Sequence, residues 1–170
     1  MTMDQFELNL FALLCVERLV GCFGVFCTRE KKEHLHERFI NTLNDAYHSA
    51  GNSPSVDASS LDQLIHDSEE FGDPLAIQAQ AAAISLFYAM QTSSDAYEEQ
   101  VSWCASKTID AIENLTYWIN KVRWRVDTLS TIMQRELLWQ KELTDTPILT
   151  QSDISTLRTE NVAYAIYPAI

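Results

Sequence analysis

The residues of this sequence best suited to chemistry are its histidines, cysteines and carboxylates, and their spacing decides what they can do. Glu33 and His36 stand three apart, the E-x-x-H spacing by which one helix offers a carboxylate and an imidazole to a metal. A di-iron bundle needs two such motifs and two further inward carboxylates. Here the motif occurs once, among Lys31, Lys32 and Glu37, and it reads as a solvated helix face. His34 and His36 could join Cys27 around a metal, but two residues apart on a helix they point to different sides. His66 beside Asp67 and Glu69, and His48 by itself, form no pairing for acid–base or nucleophilic work. No G-x-S-x-G, H-E-x-x-H, Walker loop or G-x-G-x-x-G occurs. The expectation is a protein that is not an enzyme, with no catalytic residue, no metal and no cofactor.

Cys15, Cys22, Cys27 and Cys104 show no C-x-x-C spacing, and three of them fall in or beside an apolar helical pattern. They read as buried packing thiols in a reducing cytosol. Trp118 and Trp124 interleave with Lys121, Arg123 and Arg125, a pattern that can stack on nucleic acid. The patch is short and the rest of the chain is strongly anionic, so it reads better as an internal or interfacial contact, and no nucleic acid is expected.

Charge is the most informative bulk property. The net charge is −12 over 170 residues, and it is distributed unevenly. No Lys or Arg occurs from Phe39 to Ser106, a stretch that holds Asp45, Asp57, Asp62, Asp67, Glu69, Glu70, Asp73, Asp95, Glu98 and Glu99. Basic residues gather instead at Arg29, Lys31, Lys32 and Arg38. A field of this sign repels nucleic acid and anionic lipid and steers basic partners inward. The segment from Asp57 to Asp73 is the expected contact, through Asp57, Asp62, Asp67, Glu69, Glu70 and Asp73.

The elements that must position these groups read as helices. Only four Gly and four Pro occur, too few for the turns of an all-β fold. Apolar stripes at steps of three and four run through Leu35, Phe39, Leu43 and Ala46; through Ile77, Ala81, Ile84 and Tyr88; and through Tyr97, Val101, Cys104, Thr108, Ile112, Leu115 and Ile119. Leu129, Ile132, Met133 and Leu137 make a further stripe. Asp73-Pro74 is an N-cap with proline at the first helical position, Ser60 with Gln63 a capping box, and Gly51 to Ser55 a loop. Together these predict about seven helices, at roughly 4–26, 31–50, 59–71, 74–92, 95–120, 127–144 and 152–161. The result is one all-α domain over residues 1–170, a bundle with the Ala-rich fourth helix at its centre.

The run from Leu8 to Cys27 is apolar enough to raise the question of a membrane span, but Glu17 and Arg18 stand at its middle. It reads as a core helix, with Glu17 and Arg18 in an ion pair or at the rim. Met1 to Glu7 lack a basic n-region, so no signal peptide is expected, and the location expected is the cytoplasm without membrane contact.

Phe11-Ala12-Leu13-Leu14-Cys15-Val16-Glu17-Arg18, followed by Phe26-Cys27, resembles the opening of the YjaG-like family of bacterial proteins with a domain of unknown function. The acidic loop and Ala-rich helix from Asp73 to Met90, Ala105 to Thr108, and Glu136 to Gln140 are similar as well. The resemblance implies an all-α bundle and a homodimer, and it brings no activity or site residues. The tail from Ala163 to Ile170 differs from it and is apolar enough to be expected to pack, with Val162, on the domain or on a partner.

Three functions remain after these exclusions. One is a protein-binding module, most concretely an immunity protein that neutralises a basic toxin domain through its acidic face. Another is a homo-oligomeric housekeeping protein of the YjaG-like kind. An enzyme with an unfamiliar site ranks third.

Overall fold

Helix α1, Gln5–Arg29, opens with a reciprocal cap: the Glu7 amide donates to the Asp4 carboxylate at 2.9 Å, and the Asp4 amide to Glu7 at 3.0 Å. It closes on a Schellman turn, in which the Lys31 amide donates to the Thr28 carbonyl and the Lys32 amide to that of Cys27. Lys31 takes the left-handed conformation, at φ 56°, that glycine usually supplies there. The computed structural model describes residues 3–50, 61–65, 68–92, 94–122, 126–145 and 151–162. Among them lie six α-helices, one short 3-10 helix and no strand.

After α1 come α2 (Glu33–His48), α3 (Pro74–Met90), α4 (Tyr97–Val122), α5 (Val126–Asp145) and α6 (Gln151–Val162). α1 is buried along nearly its whole length and packs against α2, α3, α4 and α6. By length and composition it could cross a membrane, yet 83% of its most apolar window lies inside the fold. α3 shares the centre with it: Ala76, Ala79, Ala82, Ala83 and Ala89 are buried, and such small side chains let helix backbones approach closely. α4 lies against both of these helices, and α5 packs on α4.

The all-helical expectation holds, and the boundaries of the six helices fall within a few residues of those read from periodicity. The helix expected over 59–71 differs. Its described residues form a turn at 61–64 and the 3-10 helix Ser68–Glu70. Leu61 and Leu64 bury themselves on a single turn, and the chain must then reverse at Gly72 (φ 61°) to bring Asp73 to the start of α3. Two stripes are also turned. On α3 the expected inward Ile77 is 50% exposed, because the alanines take the tight inner side. On α5 Leu137 is 50% and Leu138 56% exposed, while Glu136, Trp139 and Leu143 are buried. The tail 163–170 lies outside the described residues.

Candidate functional site

Glu17 and Arg18 are neighbours on α1, so their side chains leave the helix about 100° apart. Both are buried, and each meets a different later helix. Arg18 forms an ion pair with Glu136 of α5, also buried. Glu136 further accepts from the Thr108 hydroxyl at 3.1 Å and from the Gln140 amide at 2.9 Å. Gln140 donates in turn to Thr108 at 2.8 Å and to the Ala105 carbonyl at 3.1 Å. Buried charge is tolerated only when paired and hydrogen-bonded in this way.

Glu17 turns the other way. Its Oε1 accepts from Nε and Nη2 of Arg158 on α6, each at 2.8 Å. Its Oε2 accepts from Asn161 Nδ2 at 3.0 Å and from the Tyr47 hydroxyl at 3.3 Å. Arg158 Nη2 also donates to Asn44 Oδ1 at 2.9 Å, and the guanidinium lies 4.1 Å from the centre of the Tyr47 ring. Asn161 carries the network inward, donating to the Leu14 carbonyl and accepting from the Trp139 indole at 3.1 Å. Burial, and next the negative charge of Glu17, push the Tyr47 hydroxyl well above its ordinary value, so it remains a neutral donor.

Over this network opens a cleft of about 350 Å³ between α1, α2 and α6, bounded by Glu17, Tyr47, His48, Ile154, Ser155, Arg158 and Thr159. His48 contributes an exposed imidazole whose Nδ1 is 2.7 Å from the Asn44 carbonyl. That contact makes Nδ1 the donor and leaves Nε2 open. The cleft therefore combines a fixed cation, hydroxyls and an apolar wall. Its makers were not legible as a group, since Arg158 and Glu17 are 141 residues apart. The one signal was a charged pair in an apolar helix, which announces buried partners without naming them.

The expected acidic face separates into parts. Asp62, Glu69 and Glu70 are exposed. Asp73 instead caps α3, accepting from the amides of Leu75 at 2.9 Å and Ala76 at 3.1 Å, and pairs with Arg29 at 3.0 Å. Burial alone would raise its carboxyl, but the Arg29 and amide hydrogen bonds prevail and hold it below the usual range. Phe71 meets the Phe26 ring edge-on at 5.1 Å with Lys32 over its face, which ties the segment to α1. Asp57 and Asp67 lie outside the described residues, as do His66, Trp124, Arg123 and Arg125, and the side chains of Trp118 and Lys121 are likewise not described.

The motif Glu33-x-x-His36 does not converge on a metal arrangement. Glu33 and His34 are exposed, whereas His36 turns toward Gly24 of α1. Among the described residues no group of His, Cys, Asp and Glu has metal-binding geometry. All four cysteines are free and buried, and burial pushes Cys22 and Cys104 up to about 12, Cys27 to about 11, and Cys15 well above its usual value. They are packing thiols.

No protein-family model matches the chain, and no curated protein does. Among solved structures, the crystal structure of a DUF416 family protein from Shewanella baltica OS155 is similar, with a TM-score of 0.74 at 14% identity. The match covers 98% of this chain and 93% of that one. Across almost its whole length, then, this chain shares the helical fold of a DUF416 family protein.

Proposed function

We propose that the protein is a non-enzymatic binding module of the cytoplasm, most concretely an immunity protein that neutralises a basic toxin domain through its acidic face. The observation that carries this reading is the placement of Asp62, Glu69 and Glu70. They are exposed on a connection that Phe71 and Asp73 fasten to α1, so their charge is offered on a fixed frame. The net charge of −12 extends the field of these residues and favours fast encounter with a cationic surface. Inhibition needs only charge and shape of this kind.

The test starts with the basic protein retained by the tagged chain from its native cell at low salt. Converting Asp62, Glu69 and Glu70 together to Lys should slow association with it by about tenfold or more while leaving the helical spectrum intact. Unchanged association kinetics at low salt would remove the acidic face from the mechanism.

A second reading is a homo-oligomeric protein of the YjaG-like family. The fold shared with a DUF416 family protein supports it, as do Leu137 and Leu138 exposed side by side on α5. Light scattering behind size exclusion separates the two readings: a stable dimer that Leu138→Glu dissociates favours the second.

A further inference from the structure

We propose that the cleft between α1, α2 and α6 binds a small carboxylate on the outward edge of Arg158. This site is distinct from the acidic face and does not depend on it. The argument begins with how little freedom Arg158 retains. Its Nε and Nη2 are held by Glu17, Nη2 also by Asn44, and one face of the guanidinium rests on Tyr47. Arg158 is nevertheless 30% exposed, and among the described residues nothing bonds to its Nη1. A guanidinium already fixed on three sides loses little rotamer entropy when its remaining edge takes up an oxyanion.

The surroundings select among oxyanions. Glu17 balances the formal charge of Arg158, and the whole molecule carries −12, so a second negative charge on the ligand is disfavoured. That points to a monoanionic carboxylate in preference to a phosphate dianion. Ser155 stands one turn before Arg158 on α6 and lines the same space. His48 spends Nδ1 on the Asn44 carbonyl and leaves Nε2 available to the ligand. Ile154, 5% exposed, supplies an apolar wall for the ligand's body. At about 350 Å³ the cleft is at the small end of ligand-sized pockets, which suits a compact acid.

The experiment is a titration of the full chain with benzoate, followed by backbone amide NMR, with benzamide and inorganic phosphate run in parallel. Benzoate should give saturable shifts at Tyr47, His48, Ser155 and Arg158 in the millimolar range, and benzamide, which lacks the charge, should give none. Phosphate should bind more weakly than benzoate. Arg158→Lys is expected to weaken benzoate about tenfold by losing the planar fork. Because that change also disturbs Glu17, a second variant is needed. Ser155→Trp fills the cleft from an exposed position, keeps the Arg158–Glu17 pair, and should abolish the shifts without altering the melting temperature. The proposal is overturned if benzoate gives no saturable shift, if benzamide binds as well, or if Ser155→Trp leaves benzoate binding unchanged. Tighter binding of phosphate overturns the assignment to carboxylates.

Discussion

Gly24 shows how much one absent methyl group can decide. A Cβ at this position would lie 2.9 Å from Nε2 of His36 and 3.0 Å from Cε1, so the imidazole of α2 occupies the notch that glycine leaves on α1. Two effects compete on replacing it with alanine. Helix propensity gains about 1 kcal/mol, while overfilling a packed site costs about 1–3 kcal/mol. Gly24→Ala should therefore change stability little in the native background, where the end of the ring must give way, yet raise it by about 1 kcal/mol in a His36→Ala background. Urea unfolding of the four proteins of this cycle measures the coupling, and equal effects in both backgrounds would show that the ring is not the obstacle. The same contact explains why Glu33-x-x-His36 was only half legible as a solvated face. Glu33 is exposed as its neighbours suggested, but the orientation of His36 depends on a glycine in the preceding helix.

At the level of elements, α5 is docked through charge. Glu136 is buried where the periodic pattern would have placed Leu137, and it is there because Arg18 is. Removing the cation strands the buried Glu136 carboxylate, so Arg18→Met alone should cost about 3–5 kcal/mol. Adding Glu136→Leu should recover part of that loss, since it removes the stranded carboxylate. Chemical denaturation decides this, and additive losses in the double variant would refute the account. Periodicity supplied the spacing of α5 but misjudged its phase, because a carboxylate was counted as outward. α3 was misread for a different reason. Of the stripe Ile77, Ala81, Ile84 and Tyr88 only Ala81 is buried, whereas Ala76, Ala79, Ala82 and Ala89 are completely buried and Ile77 is left at the rim. By contrast Tyr97, Val101, Cys104, Thr108 and Ile112 on α4 are all buried as their spacing indicated. There the apolar and buried faces coincide.

For the whole molecule, the governing quantity is the excess of negative charge. Net charge of −12 makes the folded state repel itself, and the exposed Asp62, Glu69 and Glu70 add to that repulsion. Raising salt from about 0.01 to 0.15 M shortens the Debye length from about 30 to 8 Å, so the urea midpoint should rise. A fall would mean that exposed ion pairs outweigh the repulsion. Fold class and helix limits were legible because they are local properties. The cleft was not, since Glu17, Tyr47 and Arg158 belong to α1, α2 and α6 and only tertiary structure assembles them. That separation also has a consequence for biosynthesis. Glu17 is made 141 residues before Arg158, an interval of roughly 7–28 s at about 5–20 residues per second. Throughout that time the long, apolar α1 waits without the cation that matches its carboxylate. Translation speed across α5 and α6 therefore sets how long α1 waits for that partner.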